Sequence, residues 1–375
     1  MNKENRNALL SDIYDFQYGM GNTIEDIGGD YPIYGSNGAV GFTNIFNSED
    51  APVIGHIGAY AGIVNWASGK HFVTYNGVIC RIKKGIHPRF GYYLLLHSKL
   101  QKRLRGSTQP FVSYDLLYEV KVFLPDTKTQ NNIASVLTAL DSKIELNKRI
   151  NAELEAMAKP LYDYWFVQFD FPNENGKPYK TSGGSLVWNE ELKREIPEGW
   201  EVKEIGEVAI VKAGGDKPEN YTIEKTKTNN VPIYSNGITN NGLYGYTSKS
   251  IINEQSITIS ARGTIGFCVL RNKPFVPIIR LISLIPNLKG SAKYFYEALK
   301  NFIFENSGSV QQQLTVPQVT RIKILYPNED ILKKYDEVTS PMIERVEIIQ
   351  KENQKLIELR DWLLPMLMNG QVKVN

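Results

Sequence analysis

The sequence predicts a duplicated mixed α/β fold, two similar globular domains separated by an antiparallel pair of long coiled-coil helices. The expected shape is a dumbbell with approximate two-fold symmetry. Three observations lead there: the chain repeats its own motifs, each copy ends in a heptad stretch, and one shift relates both. Residues 31–42, YPIYGSNGAVGF, are answered by 231–246, VPIYSNGITNNGLYGY, each with Pro-Ile-Tyr, then Asn-Gly, then Gly before an aromatic residue. VIGHIGAYAGIV (53–64) is answered by ITISARGTIGFCV (257–269). GSTQPFVSYDLLYEVKVFLP (106–125) is answered by GSVQQQLTVPQVTRIKILYP (308–327), so Gly106 maps onto Gly308, a shift of 202 residues.

The same shift continues into the helices. Ile133, Leu137, Leu140, Ile144, Asn147, Asn151, Leu154, Ala158 and Leu161 alternate spacings of four and three. Moved by 202 they become Tyr335, Thr339, Met342, Val346, Ile349, Asn353, Leu356, Arg360 and Leu363. Both sets fill heptad positions a and d, and Asn151 and Asn353 share a slot. An apolar seam of this length has to be buried, and two such helices in one chain can bury each other.

In chain order, residues 1–127 read as the first domain. Segments 51–64 and 72–82 are expected strands, 88–104 a helix opening near Pro88, and 116–124 a last strand closed by Pro125. Residues 128–168 form the central helical spacer, with a helix over 129–166 and a kink expected at Pro160. The turn-rich stretch 169–198 reads as a linker. Residues 199–328 are the second domain and 329–370 the second helical spacer, ending near Pro365 and Gly370.

Composition excludes several classes. Forty-three basic residues face 40 acidic ones, a net charge of +3, so any nucleic-acid binding must come from local patches. Cys80 and Cys268 form no disulfide framework or CxxC zinc pattern and are expected as buried structural residues. The four histidines are not clustered with acids at ligand spacing, so no metal site is expected. The polar start, MNKENRNALLSD, lacks a signal-peptide core, and no apolar run is long enough for a membrane span, so a cytoplasmic protein is the default expectation. No phosphate-binding loop, dinucleotide fingerprint or methyltransferase motif is found; IGAYAG at 57–62 lacks the fingerprint spacing. Two similar heads at a fixed distance suit a long polymer with two spaced sites; a scaffold that uses its helices only for stability is the alternative.

The ordered set of motifs, taken twice, resembles the specificity subunit of type I restriction-modification systems. The resemblance covers almost the whole chain. It is carried by Pro-Ile-Tyr with Asn-Gly at 32–38 and 232–237, by Ala261-Arg262-Gly263-Thr264-Ile265-Gly266, and by Gly308-Ser309 with Gln311 and Gln312. The strand-Pro-heptad junctions and the helix ends KPLYDYWFVQFDFP (159–172) and LRDWLLPMLMNG (359–370) add to it. It implies that each globular unit is a target recognition domain reading one half of a split, asymmetric site in double-stranded DNA. The helices would set the spacer and dock two methyltransferase subunits, which carry S-adenosylmethionine and methylate adenine N6. Motor-nuclease subunits using ATP and magnesium would complete the restriction complex. The chain itself would be non-enzymatic and hold no cofactor.

Base readout calls for Arg, Lys, Asn, Gln or Ser on loops, and phosphate contacts call for Lys and Arg. In the first domain the candidates are Ser36 and Asn37, His56 and Tyr60, Lys70, and the cluster Lys102, Arg103, Arg105 with Gln109. Asn37-Gly38 also reads as a plain turn, and the basic cluster as a solvated face. In the second domain they are Asn236, Arg262, Lys273, Gln311, Gln312 and Gln313. Arg262 stands out in the small-residue loop SARGTIG, where the first domain offers Ile57 or His56. Leu154, Leu161, Tyr162, Trp165, Leu356 and Leu363, with Trp362 nearby, are the candidates for partner docking, core packing being the equal alternative.

Overall fold

The computed structural model describes residues 6–21, 26–104, 110–300, 302–304 and 313–374. They divide into two compact units: Met1–Arg149 with Gln350–Asn375, and Ile150–Ile349.

The first unit opens with β1 (Arg6–Leu9), α1 (Leu10–Ile13) and β2 (Tyr14–Tyr18). There follow β3 (Tyr31–Gly35), β4 (Gly38–Thr43), β5 (Ser48–Gly55), β6 (Val64–Val73) and β7 (Gly77–Ile82). α2 (Pro88–His97), α3 (Tyr114–Glu119), β8 (Lys121–Leu124) and the start of α4 (Thr127–Tyr162) complete it. Six strands make one sheet in the order β2-β7-β5-β6-β3-β4, in which only β3 and β6 run parallel. Pro88 starts α2, whose Phe90, Leu94 and Leu95 are buried with Leu10, Ile13 and Tyr14 in one core. Tyr14 is fully buried, and its hydroxyl donates to the Gly91 carbonyl at 2.6 Å. β1 and β8 pair antiparallel, Arg6 opposite Leu124, bringing the two edges of the domain together where α4 begins.

The second unit contains β9 (Leu186–Asn189), β10 (Arg194–Pro197), β11 (Glu201–Glu204), α5 (Ile205–Val208) and β12 (Ala209–Ala213). Its middle holds β13 (Val231–Tyr234), β14 (Leu243–Thr247), β15 (Ser256–Ile259), β16 (Cys268–Arg271), β17 (Val276–Pro277) and β18 (Ile282–Pro286). α6 (Ala292–Lys300), α7 (Val316–Thr320) and β19 (Lys323–Tyr326) lead into α8 (Glu329–Met368). Apart from the pair β9 and β10, these elements repeat those of the first unit. β11 pairs β19 as β1 pairs β8, and β13 lies parallel to β17 as β3 lies parallel to β6. The ten-residue β6 corresponds to β16 and β17 together, parted by Asn272-Lys273-Pro274-Phe275. Pro274 has no N–H for the ladder, which suits a break there. The sheet accordingly divides into β12-β18-β15-β16 and β14-β13-β17.

Several expected elements are corrected. The helix from 88 stops at His97; Lys99 at φ 46 is left-handed, and only a 3-10 turn over Leu100–Arg103 follows. Expected strand 116–124 is helix α3 and then β8: Ser113 caps α3 by accepting the Leu116 N–H at 3.3 Å, an end signal that the Val and Phe alternation conceals. The 51–64 stretch is no single strand; β5 ends at Gly55, and the polar-looking Val64–Val73 forms β6. Pro160, where a kink was expected, lies inside α4, which runs on to Tyr162 and is followed by π turns over Asp163–Val167. Residues 169–198, expected to lack regular structure, hold the β9–β10 hairpin. Phe169 and Phe171 in this stretch are buried around Trp200.

The long helices carry the predicted seam inside each unit. In the first unit, α4 starts at an Asp126 cap whose carboxylate accepts the Thr129 N–H at 2.8 Å, a bond that holds this carboxyl below the usual carboxylate range. Ile133, Leu137 and Ile144 are buried there. Arg360 of α8 lies 3.0 Å from Asp141, and Asn147 donates to Asn353 Oδ1 at 3.0 Å, so the two stretches run antiparallel. Asn353 in turn donates to the Ile144 carbonyl at 3.3 Å. In the second unit the seam continues through Ala158 on α4, Trp165 in the π turns after it, and Tyr335, Thr339 and Ile349 on α8.

A paired buried amide in an apolar seam sets register at some cost in stability. Asn147→Leu should destabilise the first unit by about 1–3 kcal/mol in urea unfolding, because Asn353 loses a partner. Asn147→Leu combined with Asn353→Leu should recover most of that. A double variant as weak as the single one would show that the amides act separately.

Candidate nucleic-acid interface

In both units a polar side chain at a matched point helps tie together the loops at one end of the sheet. In the first it is Ser36, in the turn between β3 and β4. Its hydroxyl donates to the Asn76 carbonyl at 2.7 Å and sits 3.4 Å from the Ile57 N–H. In the second it is Asn236, whose amide donates to the Ile279 carbonyl at 2.6 Å and accepts from the Ala261 N–H at 2.7 Å. Each thus links the loop after β5 or β15 to the turn before β7 or β18.

Matching main-chain bonds fix which residues correspond. Val112 N–H donates to His56 O as Leu314 N–H donates to Ala261 O, both at 2.9 Å. Gly62 N–H meets Gly55 O as Gly266 N–H meets Ser260 O. Tyr75 N–H meets Gly21 O as Ile279 N–H meets Gly215 O. Ile57 therefore stands where Arg262 stands, Phe111 where Gln313 stands, and Tyr75 where Ile279 stands. Ile57 and Phe111 face each other as an antiparallel bridge. Arg262 and Gln313 face each other through hydrogen bonds: Arg262 Nε and Nη2 donate to Gln313 Oε1 at 3.1 and 2.8 Å.

The other candidates fall in varied surroundings. Asn37 and Tyr60 are exposed on this loop face. His56 is buried, its Nδ1 3.0 Å from the Tyr75 carbonyl, its ring 4.4 Å from Tyr18 and 5.2 Å from Tyr75. Tyr18 stacks at 4.2 Å on Tyr114, so the histidine belongs to an aromatic column within the domain. Lys70 is exposed, with its ammonium 4.7 Å above the Phe46 ring. Lys102 and Arg103 lie in the 3-10 turn, and Arg103 Nε donates to the Ser98 carbonyl at 3.2 Å. Lys273 pairs at 3.0 Å with Glu347 of α8, so its charge is matched within its own unit. Arg105, Gln109, Gln311 and Gln312 lie outside the described residues.

Of the docking candidates, Trp165 is core, and Leu161 and Tyr162 pack against the same cluster. Burial beside Glu297 holds the Tyr162 hydroxyl far above its ordinary pKa. Leu363 packs against the core of the first unit, and Leu154 and Leu356 are half-buried on the seam. The helix surface instead exposes Met157, Ile348, Leu359 and Trp362, the last at 56%.

Two features of the interface carry no sequence signal. Ile279 and Arg280 adopt φ of 54° and 62°. A left-handed conformation costs about 1–3 kcal/mol at such residues and marks a position held by its surroundings. Main-chain bonds to Gly215 and Gly214 and the Asn236 amide do the holding. Behind them lies Arg271, buried, its guanidinium 3.6 Å over the Tyr234 ring and bonded to Thr258 Oγ1 at 2.9 Å and Asn241 O at 2.6 Å. Burial lowers its pKa to about 10, so it stays charged at neutral pH and braces the 239–242 turn. Among the described residues no three His, Cys, Asp or Glu side chains gather as a metal site, and no helix is long and apolar enough to cross a membrane.

A family model described as the type I restriction modification DNA specificity domain matches residues 10–156 and again 197–358. A putative type I specificity subunit of Mycoplasma pneumoniae is 28% identical over 366 residues, covering 95% of this chain and 94% of that one. The specificity subunit of a type I restriction enzyme from Methanocaldococcus jannaschii is 29% identical over 315 residues, 78% of this chain and 71% of that one. Among solved structures, the S subunit of the type I restriction-modification system of M. genitalium superposes with a TM-score of 0.67. It has 19% identity and covers 97% of this chain and 96% of that chain, a likeness that speaks for the fold.

Proposed function

Since the chain belongs to the type I restriction-modification DNA specificity family, whose members are non-catalytic, we propose that its two units each read one half of a split, asymmetric duplex site. α4 and α8 set the unread spacer and dock two adenine-N6 methyltransferase subunits. Motor-nuclease subunits join to form the restricting complex. Chemistry and cofactors reside in those partners: S-adenosylmethionine for methylation, and ATP with magnesium for restriction. This chain supplies the address.

The observation that carries the reading is the duplicated frame with unlike side chains at matched loop positions. A homodimer of identical heads would favour a palindrome, whereas one chain with two different heads favours two unrelated half-sites. Sequence is read at base edges in the grooves, and the exposed loop face offers both donors and apolar groups for that. Lys70, Lys102 and Arg103 are exposed cations of the kind that contact phosphates and fix position.

Selection of bound duplexes from a randomised pool, using the full chain with its co-expressed methyltransferase subunits, should return two short unrelated motifs. A constant, unspecified gap should part them. A single uninterrupted motif, or a palindrome, would overturn the reading. Methylation mapping with the same complex should place modified adenine in both halves.

A further inference from the structure

We propose that one matched three-residue cluster in each unit sets its base preference: Ile57, Tyr75 and Phe111 in the first, Arg262, Ile279 and Gln313 in the second. This rests on the reading of the chain as a two-headed DNA specificity subunit. Main-chain hydrogen bonds that frame these positions match in the two units, while the side chains differ in kind. Conserved framing with divergent side chains is what a common scaffold with separate addresses requires. Tyr75, Phe111 and Ile279 are each about half exposed, at 47%, 48% and 47%, although all three are large and apolar. Arg262 is exposed as well.

The chemistry of the second cluster is specific. Gln313 Oε1 takes the side-on edge of the Arg262 guanidinium, Nε and Nη2. That contact orients the planar group, and the end-on edge presents the paired N–H donors that suit guanine O6 and N7. Ile279 is held left-handed by Gly215 O and Asn236 Nδ2, which fixes an apolar side chain on the loop face. A branched side chain in that conformation is unfavourable for the fold. A thymine C5-methyl is the base feature that such a side chain reads. The first cluster has no donor fork. Ile57 and Phe111 suit a thymine methyl, and the Tyr75 ring a base face or edge. The structure thus assigns a guanine contact to the second unit and none by this cluster to the first.

The test uses the full chain with its co-expressed methyltransferase subunits and the randomised duplex pool. Arg262→Ala should lower discrimination at a guanine in one half-site by about 5- to 150-fold and leave the other half-site intact. Gln313→Ala should relax the same base, since it frees the guanidinium. Ile279→Gly should relax a neighbouring position in that half while raising the melting temperature, because glycine relieves the left-handed strain. A merely structural Ile279 would lower the melting temperature on the same change. Ile57→Ala and Phe111→Ala should act on the opposite half-site only. An unaltered motif in the Arg262 and Ile279 variants, or equal weakening of both halves, overturns the clusters even when wild type yields a bipartite motif. If wild type yields no bipartite motif, the two-headed reading itself falls, and this inference with it.

Discussion

Replacing Trp165 with alanine should lower the stability of the second unit by about 3–5 kcal/mol, the range for emptying a buried large aromatic site. The indole is 4% exposed and lies 5.6 Å from the Tyr335 ring and 6.2 Å from Phe166. Phe166 extends the cluster to Tyr294 at 4.7 Å and to Trp200 at 5.9 Å. The tryptophan therefore joins the end of α4 to the start of α8 and to the domain core. Hydrogen exchange should lose protection across Ile150–Ile349 while the first unit keeps its own. A variant that unfolds normally but fails to hold methyltransferase would return Trp165 to the docking surface, the other reading its sequence context allows.

The helices and the duplication were legible because they rest on periodicity and on long spacings. Heptads need no knowledge of tertiary structure, and Ile133, Leu137 and Ile144 are buried as their spacing implies. β8 and β19 obey the shift that relates the two copies, but their partners β1 and β11 do not, Arg6 answering Glu201, so this pairing was visible only in the fold. Short elements were harder. Tyr114–Glu119 is a helix because Ser113 caps it and Leu117 faces the core, though its residues alternate nearly as a strand would. The 169–198 stretch is full of turn formers, yet Phe169 and Phe171 bind it to the core, a contact decided by Trp200 more than a turn away in sequence. At the interface, small polar residues in turns were the visible signal, and Ser36 and Asn236 do sit at matched points. Their side chains are engaged in tying loops together. Ile279 could not be seen, since its left-handed backbone is imposed by Gly215 and Asn236, partners distant in the chain. Arg262 and Gln313 are 51 residues apart, and only the folded loops bring them into contact.

A second large effect is expected inside α6, beneath the sheet that bears the Arg262 loop. Lys293 and Glu297 form an i,i+4 ion pair at 2.8 Å with side chains only 11% and 5% exposed. The Lys293 ammonium also lies 4.8 Å from the Tyr296 ring centre. Burial first, and then the Glu297 carboxylate, hold the Tyr162 and Tyr335 hydroxyls above their ordinary pKa. Lys293→Met removes the counter-charge and leaves a carboxylate with little access to water. Losing one member of a buried pair costs about 3–5 kcal/mol, most of it the penalty on the ion left behind. Removing both charges, with Lys293→Met and Glu297→Leu together, should return stability to near the wild-type value, since two desolvation costs vanish with one attraction. Urea unfolding of the four proteins in this cycle should therefore give a coupling of several kcal/mol. α6 packs against β15 and β16, whose connection carries residues 260–267. The single variant should consequently lose selectivity in the half-site that Arg262→Ala affects, and keep it in the other. A single-variant loss below about 1 kcal/mol, the size expected of a solvated surface pair, would mean that water reaches Glu297 and that α6 does not depend on this pair.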